Sequence, residues 1–271
     1  MKITILANKD LASNYAINLL IPHLLDHDIS IFLSSQVGKN NKKPNQLNTL
    51  TFFEQDLFND LLSPLLVNST VETNQFKSFT QLNAYTCQDI EELNVINTAE
   101  GIAKVKVTQP ELILCIRYGS ILKDEILSIP QFGVLNLHSG LLPNYRGVMA
   151  TFWAMLNDET SIGTTLHYIN DASIDTGEII ATSSFSVEKN RSYLWHVLQL
   201  YKGGCELFVA ALSTIAAGNT VESARQPKGG HYYTFPTEKD LLAFNQKGFL
   251  LVNEKEVTDF LKTHYTNTTK Y

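Results

Sequence analysis

An α/β fold with a mostly parallel, doubly wound sheet is what this sequence predicts, and three observations carry the prediction. The chain opens with an apolar run, a helical spacing and a second apolar run, the order of a β-α-β unit. Leu112 to Ile116 is continuously apolar over a strand's length, as in strands buried on both faces of a parallel sheet. Arg191 to Ala217 is a long amphipathic helix with a face that needs a partner.

The elements follow in order. Ile3 to Leu6 reads as the first strand, Leu11 to Leu25 as a helix with Pro22 as a kink or early stop, and Ile29 to Leu33 as the second strand. Val37 to Gln46, with Gly38, Pro44, three Lys and three Asn, reads as a loop. Leu47 to Val67 is predicted helical, interrupted near Ser63 and Pro64, and a short helix is expected near Ser78 to Tyr85. Val95 and Ile96 read as the tip of a strand. Thr98 caps the helix that starts at Ala99, because its hydroxyl can accept from free backbone N–H groups.

Pro110 separates that helix from Leu112 to Ile116. A helix around Ile121 to Ile129 and a strand over Gly133 to Leu137 come next. Ile162 to Ile169 and Ile179 to Val187 are two β-like runs joined by the polar loop Asn170 to Gly177. In the long helix, Leu194, Leu198, Tyr201, Cys205, Phe208, Leu212 and Ile215 line one face, and Gly218 closes it. Beyond it lie a Gly-Gly, an aromatic cluster at Tyr232 to Phe235, and a last apolar helix or strand pair through Leu261.

With 271 residues, 44% hydrophobic and 18% charged, the chain can bury a sizeable core without disulfides or metals. The division expected is 1–188 as the main α/β unit and 189–271 as a helix with a small subdomain. Cys87, Cys115 and Cys205 form no CxxC pair and read as reduced, Cys115 within the core. The start MKITILANKD reaches charge too soon for a signal peptide, and no apolar stretch approaches membrane-spanning length, so a cytoplasmic protein without membrane contact is expected. A net charge of −6 disfavours a polyanionic partner such as tRNA or DNA. No His, Cys and carboxylate set has metal-ligand spacing, so no metal is predicted.

The segment Asn136-Leu-His-Ser-Gly-Leu-Leu-Pro-Asn-Tyr-Arg-Gly147 concentrates the chemistry. Side chains two apart on a strand share a face, so Asn136 and His138 would sit together at the carboxyl end of a parallel strand, where open α/β sheets hold ligands. An amide donor beside an imidazole can stabilise an oxyanion and move a proton. Asp175, 37 residues beyond His138 within Ala172-Ser-Ile-Asp-Thr-Gly177, lies in a loop from which a carboxylate could orient that imidazole.

Asn-x-His, then Leu-Leu-Pro-x-Tyr-Arg-Gly, then Asp-Thr-Gly, in that order, resembles the formyltransferase family that uses 10-formyltetrahydrofolate. The resemblance runs over roughly residues 1 to 185 and is strongest from Leu112 to Ile180. It implies a Rossmann-like formyltransferase domain over 1–188, with 10-formyltetrahydrofolate as co-substrate. It implies that Asn136 holds the formyl oxygen, that His138 shuttles a proton and contacts the oxyanion, and that Asp175 orients His138 and helps deprotonate the attacking amine. Backbone around Arg117, Tyr118 and Gly119, with Ile174 and Asp175 of the second loop, would cradle the pterin. His167 is open between a partner of Asp175 and a satisfied strand histidine. A homodimer through the C-terminal part is expected by analogy alone.

For the acceptor, the resemblance divides. Ala7 to Asn14 has no glycine, unlike the phosphate loop of glycinamide ribonucleotide enzymes. Only 80 residues follow Arg191, and they begin with a helix rather than the large basic barrel of the tRNA enzymes. The hydrolases carry a regulatory domain before the catalytic one, whereas this chain starts at the first strand. A small primary amine is therefore expected as acceptor, a nucleotide-linked amino sugar first. Tyr145 and Arg146 are candidate contacts, with packing and loop anchoring as their alternatives. Tyr232 and Tyr233, within Gly229-Gly-His-Tyr-Tyr-Thr-Phe-Pro236, would stack a base, with Arg225 and Lys228 near a diphosphate; the alternative is a hairpin packing its aromatics into a small core. Hydrolysis of formyl-folate, and folate binding without turnover, are the competing functions.

Overall fold

The computed structural model describes residues 1–36, 43–67 and 75–266. Its centre is a seven-stranded sheet, ordered β3-β2-β1-β4-β5-β7-β8, formed by Lys2–Asn8 (β1), Asp28–Ser34 (β2), Glu91–Glu92 (β3), Leu112–Ile116 (β4), Val134–His138 (β5), Ser161–Tyr168 (β7) and Ile179–Ser186 (β8). The first five are parallel; β7 runs antiparallel to β5, and β8 antiparallel to β7. Tyr145–Gly147 (β6) and His231–Tyr233 (β9) pair as a separate parallel ribbon. The expected mostly parallel α/β architecture is the observed one.

Strand alternation sorts the core onto two faces. Ile3, Ile5 and Ala7 of β1, with Leu112, Leu114 and Ile116 of β4, belong to the larger core. Leu6, Ile113, Cys115 and Val134 belong to the smaller one behind the sheet. Asn136 and His138 follow Val134 by steps of two, so they emerge on the smaller face just where the strand ends.

The Tyr193–Ala216 helix buries all seven residues expected on its inner face, among them Tyr201 and Phe208 at 0% exposure. The final helix, Glu254–Tyr265, docks on the first, Leu11–Leu24, where the Tyr265 hydroxyl donates to Asn14 Oδ1 at 2.7 Å. Residues on both sides of position 188 thus share one core.

Several elements differ from expectation. The Val95–Ile96 strand tip is a turn: Ile96 is fully buried but Val95 is 57% exposed, and the β3 pairing falls earlier, at Glu91–Glu92. The Ile121–Ile129 helix shrinks to Asp124–Leu127, because the Asn97 side chain takes the Ile121 carbonyl and the Lys123 N–H, holding that stretch out of the helix. Pro22 lies inside its helix, which runs on past it to Leu24. The 46–67 stretch is helical throughout, with Phe52–Leu62 π-wound. The last segment is two helices, Glu238–Gln246 and Glu254–Tyr265. Most of the expected Val37 to Gln46 loop lies outside the described residues; Gln46 itself begins the helix.

Candidate active site

The parallel strands end together. Asn8 closes β1, Arg117 follows β4 and His138 closes β5, so neighbouring strand ends deliver three polar groups to one edge at roughly 5 Å spacing. Above this edge opens a cleft of about 950 Å³. That volume lies at the upper end of small-molecule sites and can hold two reactants side by side.

Asn136, His138, His167 and Asp175 converge on its floor. Antiparallel pairing places Asn136 directly opposite His167, and the Asn136 amide nitrogen lies 3.0 Å from His167 Nε2. The same nitrogen donates to Asp175 Oδ1 at 3.3 Å. His138 Nδ1 stands 3.6 Å from Asp175 Oδ2, and His167 Nε2 stands 3.5 Å from Asp175 Oδ1.

The partners fix the tautomers of neutral rings. The Tyr145 carbonyl, 2.6 Å from His138 Nε2, can only accept, so that nitrogen carries the proton and Nδ1 presents a lone pair towards Asp175. His167 Nδ1 lies 2.8 Å from the Tyr168 carbonyl and carries its proton there, leaving Nε2 to accept from Asn136. His138 Nδ1 and Asp175 Oδ2 are therefore two acceptors facing each other, an arrangement that invites a proton.

Burial pushes the Asp175 carboxyl up, but His138 and His167 in their charged, imidazolium forms and the Gly147 N–H at 2.8 Å together outweigh it and hold the group down to about 2. Asp175 is an ionised carboxylate at any working pH. Its backbone is left-handed, with φ +55°, an uncommon conformation for a residue with a side chain.

The loop after β5 is shaped by glycine. A Cβ on Gly140 would stand 2.8 Å from His138 Nε2 and 2.5 Å from the Ala150 Cβ. Gly147 has φ +94°, and a Cβ there would stand 2.1 Å from the Tyr233 carbonyl. Tyr145 and Gly147 thus do opposite jobs from one short strand: the carbonyl of the first receives His138, and the N–H of the second holds Asp175.

Beside this cluster sits a second charged group. Arg117 donates through Nε to Asp10 Oδ2 at 2.8 Å and through a terminal nitrogen to Glu54 Oε1 at 2.9 Å. Asp10 also caps the first helix through Ser13 N and accepts from Asn8. Burial lowers the Arg117 pKa, yet Asp10 and Glu54 more than compensate and hold it well above its ordinary value. Burial raises Glu54 against the opposing pull of Arg117. The group is closed on itself.

Of the residues singled out from sequence, Asn136, His138, Asp175, Arg117, Tyr118, Gly119, Ile174 and Tyr232 all border the cleft. The Arg117 side chain is committed to its carboxylates, Asp10 and Glu54. Gly119 donates its N–H to Ser34 Oγ at 2.8 Å, and Tyr118 donates its hydroxyl to the Leu93 carbonyl. Tyr145 and Tyr233 do not face the cleft as acceptor contacts. Their rings stack at 5.6 Å, Tyr233 stacks again on Trp153 at 4.9 Å, and the Tyr145 hydroxyl donates to Glu159. Burial and Glu159 both push that phenol up.

Arg146 is also off the cleft wall, and its Nε is buried without a hydrogen-bond partner among the described residues. Arg225 is 94% exposed and lies 3.8 Å from Glu178. Sequence reasoning missed Asp10 and Glu54, and took Gly147 only as the last residue of the Tyr-Arg-Gly motif. An acid four residues before Phe58, on the one face of that helix that is buried, was a readable signal for Glu54. Among the described residues no group of three or more His, Cys, Asp or Glu is placed to hold a metal, and no helix is long and apolar enough to cross a membrane.

Residues 79–194 match the family model described as formyl transferase. The methionyl-tRNA formyltransferase of Clostridium tetani is 32% identical over 146 residues, covering 54% of this chain and 46% of that protein. That of Thermodesulfovibrio yellowstonii is 38% identical over 119 residues, 43% of this chain and 38% of that protein. The chain thus matches less than half the length of these curated relatives. Among solved structures, a sugar N-formyltransferase from Shewanella sp. aligns over 91% of this chain and 88% of its own, with a TM-score of 0.56 and 14% identity. Glycinamide ribonucleotide transformylase 1 from Symbiobacterium toebii aligns over 83% and 93%, with a TM-score of 0.56 and 12% identity. At those identities the likeness is one of fold.

Proposed function

We propose, from the premise that this chain belongs to the formyltransferase family, that it transfers a formyl group from 10-formyltetrahydrofolate to a primary amine. The observation that carries the reading is the facing pair His138 Nδ1 and Asp175 Oδ2 beside the Asn136 amide, at the floor of a cleft large enough for two reactants.

The neutral amine attacks the formyl carbon and negative charge gathers on the formyl oxygen. Asn136 supplies an N–H to that oxygen by giving up its weaker 3.3 Å bond to Asp175 while keeping the 3.0 Å one to His167. The proton released from the new ammonium goes to His138 Nδ1, where the Asp175 carboxylate stabilises the resulting imidazolium. Collapse expels the folate nitrogen, which takes a proton, giving the formamide and tetrahydrofolate. Backbone at 117–119 and the Ile174–Asp175 loop hold the pterin.

The acceptor we favour is a small amine, a nucleotide-linked amino sugar first. Tyr232, half exposed on the cleft wall, offers a ring for stacking, and Lys43 stands 4.4 Å above the Phe235 ring at the same mouth. The net charge of −6 argues the same way. A tRNA acceptor is the second reading, and the curated relatives favour it by name. Tetrahydrofolate release should be measured with no amine, with nucleotide-linked amino sugars, and with methionyl-tRNA. Dependence on the sugars is the expected result. Dependence on the tRNA alone overturns the acceptor, release without any amine makes the protein a hydrolase, and no release in any arm removes the formyl-transfer reading.

A further inference from the structure

The segment 222–229 runs along the outside of the Asp175 loop, and all of it is exposed except Gln226. Ala224 exchanges both backbone hydrogen bonds with Ile179, each 2.8 Å, so the segment is fixed antiparallel to the start of β8. From there the Gln226 side chain turns inward. Its Nε2 donates to the Asp175 carbonyl at 2.9 Å and to the Gly177 carbonyl at 2.8 Å. Both partners are carbonyl oxygens, so the contacting atom must be the NH₂ group, and both its hydrogens are used.

These two bonds span a residue with a left-handed backbone. Asp175 holds φ +55°, and in that pose its carboxylate meets Gly147 N, Asn136 and the two imidazoles. A side chain on a left-handed residue persists where the surroundings over-determine it. On the loop's inner side the carboxylate contacts do so; on its outer side the paired carbonyls are held by one amide.

We propose that Gln226 is a positioning residue of the active site: it clamps the Asp175 and Gly177 carbonyls and so sets the pose of the Asp175 carboxylate against His138. Gln226 touches no reacting atom and acts through the backbone of Asp175. The inference rests on the role given above to Asp175, and it extends the site to a segment beyond the matched residues 79–194.

The test uses the full chain and three variants. Gln226→Met keeps the length and removes the donors; Gln226→Glu keeps the shape and turns a donor into an acceptor facing two carbonyls. Ser223→Ala removes only the neighbouring bond to Glu178, 2.9 Å, and serves as the control. Turnover should fall about 10–100-fold in both Gln226 variants, with KM for 10-formyltetrahydrofolate little changed and Ser223→Ala unaffected. A second readout needs no substrate. The Asp175 carboxyl, labelled with ¹³C and titrated by NMR, should stay ionised to about pH 2 in the parent chain and move up towards the ordinary value of about 3.9 in Gln226→Met. An unmoved Asp175 titration in a folded Gln226→Met chain overturns the proposal even if turnover drops. A parent chain inactive in every acceptor arm, with the titration shifted as stated, sinks the formyl-transfer reading and leaves the clamp standing.

Discussion

Two ionic clusters lie side by side on the carboxyl edge of the sheet, one strand apart, and they are built to opposite ends. Around Arg117, two carboxylates meet one guanidinium at 2.8 and 2.9 Å. Around Asp175, one carboxylate meets two imidazoles at 3.5 and 3.6 Å, too long for hydrogen bonds, with a lone pair of His138 turned towards it. The closed cluster shapes the edge and fixes the start of the 117–119 loop. The open one leaves a gap where a proton can be received. Similar charges in similar burial thus serve structure or chemistry according to whether their hydrogen-bonding capacity is spent.

The sharpest way to break this contrast is to exchange the two outcomes by mutation. Asp175→Asn should lower turnover about 10²–10⁴-fold while the chain stays folded and still binds folate. Arg117→Met should act mainly on stability, destabilising the chain by about 3–5 kcal/mol by leaving Asp10 and Glu54 buried without their cation, with turnover in the folded fraction falling far less than in Asp175→Asn. Thermal melts and initial rates on both variants decide it; a stable Arg117→Met chain would show that the closed cluster is no structural clasp.

Acid titration sharpens the same point. Asp175 is ionised down to about pH 2 in the folded chain and to about 3.9 when unfolded, so its stabilising contribution is complete above pH 4. It is lost as pH falls through about 2. The stability gap between the parent and Asp175→Asn should therefore shrink by about 2–3 kcal/mol between pH 5 and 2, read from denaturant midpoints. A gap that does not change over that range would mean the carboxylate is not held down. Smallest of all, Gly140→Ala should slow turnover about 10–100-fold by pressing a methyl against His138 Nε2 and its Tyr145 carbonyl, with folate affinity kept.

Which of these features the sequence carried follows from how local they are. The strands and the long helix were readable because period-2 and period-3.6 patterns need no knowledge of partners, and Asn136 and His138 share a face for the same reason. The short 121–129 helix was misjudged because Asn97, a residue upstream, competes for its backbone. In the sequence Tyr145 and Tyr233 leave ligand contact and packing both open, because an aromatic cluster looks alike whether it stacks on a base or on itself. Only the β6–β9 pairing, with partners Tyr145 and His231 far apart in the chain, decides that they stack together.

What the sequence determined by itself was an α/β sheet with a particular strand end and the residue types brought to it: Asn136, His138 and, through its spacing, Asp175. The tertiary structure decided their protonation and their pose. The tautomer of His138 depends on a carbonyl seven residues away, the ionisation of Asp175 on an N–H 28 residues back, and the loop beneath it on an amide 51 residues ahead. Hydrogen bonds act over 3 Å while the pattern of a sequence reaches only a few residues, so contacts that close long loops leave no mark on local periodicity.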